Sequence, residues 1–418
     1  MKRTLQGLAL SAVTASVVTA AGYKIPEQSL NSMALGAAYV AHTDGADSNY
    51  FNPANMSFMA ADRQYVEGGI TLAHLPAISY TLVEPYSGTS ESENIPIPFF
   101  HYVSTAYDNL RWGVSLTAPG GLTKRWNTPA QKAYAEEFTL KIVELSPSLS
   151  YRVNDQFSVA GGLRLIYSEG IVKSNSDAMS LLIGNPRANV ARDMKGDTIE
   201  FGYNLAMSYR PTEDISLAAT YRSNVDLDEE GTATLSAAGA AIYHGDASVS
   251  VPLPAVLSIA ASKTWEKTFT LELVYERTFW SEYKTLDFEY GGANLGPLTP
   301  AFDTPIPKDW RDTNTFRIGA TVAMENGITA MMGFALDETP VPEKTIGFEL
   351  PDSDAKIFSM GFRYQQTENL SWGMAFLYDA KDPNTLTKGI ADNPVLVNGG
   401  SFGGGGAYLT TLGISYEF

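Results

Sequence analysis

The chain has 418 residues, no cysteine, four scattered histidines and a net charge of −17 at pH 7, which excludes disulfides, thiolate metal sites and a cysteine nucleophile. Acidity on this scale argues against nucleic acid or an anionic lipid surface as partner. A hydrophobic content of 44 % with 36 glycines fits a large soluble β-protein or a membrane barrel with a polar lumen equally well.

Lys2-Arg3, an apolar core from Leu8 to Val18 and the triplet Val18-Thr19-Ala20 read as a secretory signal peptide, residues 1–20, cleaved after Ala20 or Ala21. The core is too short for a membrane anchor and is diluted by Ser11, Thr14 and Ser16. Losing Lys2 and Arg3 with the leader takes the charge from −17 to −19. Nothing later in the chain reaches the apolar length of a spanning helix.

Residues 21–62 are rich in small side chains, close on Tyr50-Phe51-Asn52-Pro53-Ala54, and precede a long series of alternating segments. If those segments close into a barrel, a non-barrel stretch ahead of them is expected inside the lumen, where its polar backbone is shielded from lipid. It reads as a plug, or hatch.

From residue 63 to 418 the dominant signal is strict alternation, as a strand between lipid and lumen requires. Ile199, Phe201, Tyr203, Leu205, Met207 and Tyr209 oppose Glu200, Asn204, Ser208 and Arg210, and the chain ends on Tyr408, Thr410, Leu412, Ile414, Tyr416 and Phe418 on one face. A cation on the lipid face costs roughly 2–4 kcal/mol at the midplane. Arg164, Arg210, Arg222, Arg317 and Arg363, with Glu200, Glu272 and Glu276, are therefore expected to point inward as a salt-bridge network.

Short turns such as Asn154-Asp155 and Glu325 to Gly327 alternate with long connections near 76–96, 120–137, 169–196, 230–245, 291–310, 338–354 and 381–400. That is the pattern of periplasmic turns and external loops, and it divides the chain into about fourteen antiparallel strands. The fourth strand changes character, with Phe138, Leu140 and Ile142 on the face that later holds Glu144 and Ser146. Either a bulge reverses the phase there, or these residues form an apolar wall in the upper lumen.

With leader, plug and barrel in hand, the residues resemble the FadL/TodX (OMPP1) family of outer-membrane transporters for long-chain fatty acids and other hydrophobic compounds. The likeness rests on Ala21-Gly22-Tyr23, on Gly36-Ala37-Ala38-Tyr39, on Asn52-Pro53-Ala54 as the family's NPA motif, on Trp280-Ser281, and on Phe334 to Pro342 followed by Leu350 to Asp354. It implies an all-β fold: a transmembrane antiparallel barrel of fourteen strands, residues 63–418, closed by a hatch, residues 21–62, in the outer membrane of a Gram-negative bacterium. It also implies a kink in the third strand that opens a lateral gap toward outer-membrane lipid. Here that strand runs from Leu110 to Ala118 and meets Pro119-Gly120-Gly121, where either such a break or the ordinary end of a strand fits.

The expected function is uptake of a hydrophobic small molecule, a long-chain fatty acid or else a small aromatic hydrocarbon, by a monomer with no cofactor and no metal. Tyr23, Ile25, Phe51, Asn52, Pro53 and Ala54 are the candidate ligand-binding and gating residues, with the segment from Tyr50 to Ala54 shifting against the break. Lys124, Arg125, Lys141 and Arg164 are candidate partners for a carboxylate head. A general diffusion porin is the first rival, and it has no use for the hatch. A hydrolase is the second; its best pairing is His101 with Ser104, and proximity on one strand does not make a catalytic pair.

Overall fold

The computed structural model describes residues 22–418; the leader expected over residues 1–20 lies outside the described residues. Fourteen strands follow one another around a closed antiparallel barrel. They are β1 (Tyr65–Leu75), β2 (Glu93–Val103), β3 (Leu110–Thr117, resuming at Gly121–Arg125), β4 (Glu137–Arg152), β5 (Phe157–Asn175), β6 (Val190–Thr212) and β7 (Ile215–Arg222, resuming at Val225–Ala237). The second half comprises β8 (Ala240–Leu253, resuming at Ala255–Trp265), β9 (Phe269–Phe279), β10 (Thr313–Ala323), β11 (Ile328–Asp337), β12 (Ala355–Gln365), β13 (Leu370–Lys381) and β14 (Ala407–Glu417). Closure comes from β1, which pairs with β2 on one side and with β14 on the other, Tyr65 opposite Glu417 and His74 opposite Tyr408.

Alternation sorts the side chains as the lipid argument requires. On β6, Ile199, Phe201, Tyr203, Leu205, Met207 and Tyr209 are exposed on the outside while Asn204 and Ser208 are buried within. No helix among the described residues is long and apolar enough to cross a membrane, and the barrel spans it with strands.

Two expected loops are largely strand. β5 and β6 run to Asn175 and from Val190, and β7 and β8 meet in a hairpin across Ala238-Gly239. The outward residues there, Asp193, Lys195, Asp197, Asp226, Asp228 and Glu230, are polar and exposed. The hydrophobic alternation stops where the hydrocarbon stops, but the hydrogen-bond ladder continues.

The fourth strand has no phase reversal. Phe138, Leu140, Ile142, Glu144 and Ser146 are all buried on one inward face, and β4 pairs with β5 in one register throughout. The irregularity belongs to β3, whose register against β4 passes from Thr117↔Glu144 to Gly121↔Lys141, one extra residue on the β3 side. The bulge therefore sits at Ala118-Pro119-Gly120.

The segment from Gly22 to Phe58 lies inside the barrel. Its helix Leu30–Ala34 is started by Ser29, whose hydroxyl accepts from Ser32 N while the Ser32 hydroxyl accepts from Ser29 N, a reciprocal cap. A helical turn Ser48–Phe51 and a 3₁₀ turn Pro53–Phe58 follow. The barrel wall makes room for this backbone: a Cβ at Gly333 of β11 would stand 2.1 Å from the Leu35 carbonyl, and one at Gly361 of β12 would stand 2.7 Å from Ala34 Cβ.

Gly333→Val should leave a closed, heat-modifiable barrel but expel the segment around Leu35. The expected readout is new protease cleavage within residues 30–45 and a rise in single-channel conductance; a segment that stayed protected would contradict this seating.

Candidate lateral window and lumenal cavities

The wall between β2 and β3 is joined only in part. Below, Phe100↔Leu116 to Val103↔Gly113 pair, and above, Glu91 N donates to Arg125 O at 2.9 Å beside the Ser90–Trp126 bridge. In between, from Glu93 to Phe99 on β2, no pairing with β3 occurs among the described residues. Ser104 N donates to Trp112 O, so in this register the even-numbered residues of β2 turn their backbone groups toward β3. Residues 96 and 98 are both proline and have no N–H to give. Their odd-numbered neighbours remain free to complete the ladder with β1, where Ile70↔Pro98 and Leu72↔Pro96 stay in register. Two prolines two residues apart thus unzip one edge of a strand and spare the other.

The N-terminal segment fills this window. Ile25 N donates to Pro119 O at 2.8 Å and Gly121 N to Tyr23 O at 2.7 Å, so residues 23–25 run as a short antiparallel partner of the break. Gln28 adds two bonds to Ala118, its Nε2 donating to the carbonyl and its Oε1 accepting from the N–H, both at 2.9 Å. Glycines are needed there: Gly121 has φ +149°, and a Cβ at Gly120 would lie 2.9 Å from Tyr23 O.

Tyr23 is swallowed by an aromatic cage. Its ring centre is 4.8 Å from that of Trp280, 5.6 Å from Trp310 and 6.4 Å from Tyr283, and its hydroxyl donates to Pro252 O. Ahead of it, Gly22 N donates to Asp352 Oδ2 at 3.1 Å, and Asp352 is held in turn by Thr339 and Lys381. The sequence motifs around Trp280 and Leu350 to Asp354 thus meet at the start of the segment.

The Asn52-Pro53-Ala54 motif sits elsewhere. Asn52 Nδ2 donates to Val40 O and Ser208 Oγ, both at 2.8 Å, and Ala54 O accepts from Ser158 Oγ at 2.8 Å. These bonds tie it to β5 and β6. The expected apposition of the motif with the break after Ala118 is not what the geometry gives; residues 23–28 bond to the break, and of the later group only Tyr50 and Phe51 share a small cavity of about 70 Å³ with Pro119. Glu272 is a second anchor, accepting from the N–H groups of Val40, Ala41 and His42 at 2.6, 2.7 and 3.0 Å.

Four of the five inward arginines form the expected network, whereas Arg210 is in no ion pair among the described residues and lies 4.2 Å over the Phe58 ring. Arg164 and Arg222 both pair with Glu144, Arg317 with Glu276 at 3.3 Å, and Arg363 with Glu67 at 2.9 Å. Lys24 also pairs with Glu276, binding the N-terminal segment to β9. Of the four candidate carboxylate partners, Arg164 and Lys141 are committed, the latter to Glu169 at 2.9 Å, and Arg125 stands among Glu91, Glu93 and Glu137 at 3.6–3.8 Å. Lys124 is 5 % exposed, with no ion pair among the described residues, beside a cleft walled by Leu75, Leu122 and Phe402 on one hand and by Asp352, Lys381 and Asp382 on the other.

Phe138, Leu140 and Ile142 join one apolar cluster with Tyr23, Trp126, Trp280 and Phe348. Phe138 also borders an outer cavity of about 300 Å³ between the loops, where Arg192 lies 4.0 Å over the Phe288 ring and Lys308 pairs with Glu349. Sequence patterns did not single out Arg192, Lys308, Gln28 or the two prolines. Only the prolines carried a readable signal, a Pro-Ile-Pro run inside an alternating strand. The hydrolase pairing dissolves: His101 Nε2 donates to Gln28 O and its Nδ1 accepts from Ser115, both at 2.8 Å, while Ser104 bonds to backbone.

A family model described as "Outer membrane protein transport protein (OMPP1/FadL/TodX)" matches residues 11–418. The chain belongs to this family. It is 25 % identical over 415 residues to the long-chain fatty acid transport protein of Escherichia coli O6:H1, covering 89 % of this chain and 90 % of that one. Its fold is that of a Pseudomonas aeruginosa FadL homologue, TM-score 0.78 at 19 % identity over 95 % and 99 % of the two chains. It also matches the P. putida toluene transporter TodX, TM-score 0.69 at 15 % identity over 93 % and 97 %. The chain is an outer-membrane transporter of the FadL/TodX type for hydrophobic compounds, not an enzyme.

Glu27, in the plug, is 5 % exposed and its carboxyl is pushed up to about 7 by burial, the Arg317 guanidinium at 3.9 Å offsetting only part of that. The folded chain then holds a proton that an unfolded one releases above about pH 4.3. Stability should fall as pH rises from that value toward 7. Glu27→Gln is expected to flatten this part of the thermal-unfolding profile of the detergent-solubilised protein.

Proposed function

We propose that this transporter carries long-chain fatty acids, binding them in the lumen above the N-terminal hatch and releasing them sideways through the window between β2 and β3. The observation that carries this reading is the unzipped edge at Pro96 and Pro98, closed by the N-terminal segment rather than by a barrel strand. Burying one methylene is worth about 0.8 kcal/mol, so a chain of about fifteen methylenes gains on the order of 12 kcal/mol on leaving water. An aqueous pore offers such a molecule no favourable route. A series of apolar pockets with a lateral exit keeps it out of water throughout.

In this scheme cargo enters the outer cavity near Phe138 and passes the wall of Leu140 and Ile142 to reach the Tyr23 cage. Departure of Tyr23 and Ile25 from the break then frees the exit. Lys124 favours a carboxylate cargo, because its buried ammonium is in no direct ion pair among the described residues and Glu93 acts on it only from a distance. A second reading, small aromatic hydrocarbons, is supported by the cage itself, which already accepts an aromatic ring. TodX is described as a toluene transporter.

Two measurements separate these statements. Pro96→Thr combined with Pro98→Val returns two N–H groups to β2 and should zip the window shut. Uptake by cells lacking their own transporter is expected to fall at least tenfold with normal barrel assembly; unchanged uptake removes the lateral exit. Lys124→Met should reduce fatty-acid uptake about tenfold or more while sparing the matching fatty alcohol, since a hydrogen bond to a charged group is worth roughly 1.5–3 kcal/mol. Equal losses for both cargoes, or none, would turn the assignment toward uncharged aromatics.

A further inference from the structure

Ala118 is the residue that Pro98 leaves without a strand partner. The β2–β3 register places them opposite each other at a position where both backbone groups would be exchanged. Pro98 has no N–H to offer the Ala118 carbonyl, and the strands have already separated. The Gln28 side chain supplies the missing pair, with Nε2 donating to Ala118 O and Oε1 accepting from Ala118 N. A primary amide presents the same planar donor and acceptor pair as the peptide group it replaces, with a second N–H left over.

We propose that Gln28 is the positioning residue that closes the window, a side-chain surrogate for the absent strand edge, and that its release from Ala118 is the local step of opening. The proposal rests on the reading of the window as the exit. Gln28 is 1 % exposed and is itself aimed from behind, its carbonyl accepting from His101 Nε2 at 2.8 Å and its Nε2 making a second bond to Ile25 O at 3.1 Å. The rest of the hatch is tethered independently, through Glu272 to Val40-Ala41-His42 and through Asn52 to Ser208. Gln28 can therefore let go of Ala118 without the hatch leaving the barrel.

The residue type is specified by the geometry. Glutamate keeps the acceptor, loses the donor and faces the Ala118 carbonyl with an oxygen; leucine keeps the volume and loses both bonds; asparagine is one methylene short of the reach. The test is amide hydrogen exchange of the full-length purified barrel, read at Ala118 and over residues 40–42. In Gln28→Leu, exchange at Ala118 is expected to rise at least tenfold while residues 40–42 stay protected. Unchanged exchange at Ala118 in Gln28→Leu overturns the proposal.

The Pro98→Val background guards against a general loosening. There β2 regains the N–H that Ala118 lacks, so adding Gln28→Leu should no longer accelerate exchange. Equal acceleration with and without Pro98→Val also overturns it. Exchange is read in the resting protein, so failure of the lateral-exit reading, scored by uptake in the double proline variant, remains distinguishable from failure of the Gln28 assignment.

Discussion

A membrane barrel has one inflexible requirement: every backbone donor and acceptor in the wall must find a partner within the protein. The structure of this transporter follows from its local breach at β2, where Pro96 and Pro98 withdraw two donors from the edge facing β3. An unpaired edge in lipid is costly, so something must cover it, and what covers it is the N-terminal segment, residues 23–28. Proline in a spanning strand is usually a liability. Here its placement on alternate residues confines the damage to one side, and the ladder with β1 is intact.

The lumen solves a related problem with charge. Five inward arginines and their carboxylates cannot face lipid, and most are spent on one another or on the hatch, as with Arg164–Glu144 and Arg363–Glu67. Glu272 pairs with no cation among the described residues but satisfies three successive N–H groups of the plug. These contacts are many, buried and charge-assisted, each worth roughly 1.5–3 kcal/mol. At the break itself residues 23–28 bond through neutral groups, although Lys24 in the same stretch is fixed to Glu276 of β9. The charge-assisted tethers hold the plug to several strands, and the contacts at the break are neutral ones.

Much of the architecture was legible in the sequence because lipid imposes a two-residue period, as the run from Ile199 to Tyr209 shows. Strand ends were less legible where β5 to β8 rise beyond the hydrocarbon, since a polar ladder has no periodic signature. The apparent phase change at Phe138 to Ile142 was an apolar lumen face; period alone cannot tell a greasy interior from a greasy exterior. The roles of Gln28 and Asn52-Pro53-Ala54 were beyond reach for a different reason. Each bonds to residues between about ninety and one hundred and fifty-six positions away, and nothing in its own neighbourhood announces the partner.

The seating of the plug has a consequence for the order of assembly. Leu30 to Leu35 rest on Gly333, Gly361, Gly373 and Gly413, glycines of β11 to β14, and Arg363 donates to Asn31. A stretch made near the start of the chain therefore has its seat among the last strands to be made. Leu30 N also donates to Glu67 of β1, which pairs with Arg363 of β12, so the plug finds its full set of partners only once the first strand and the last ones stand together.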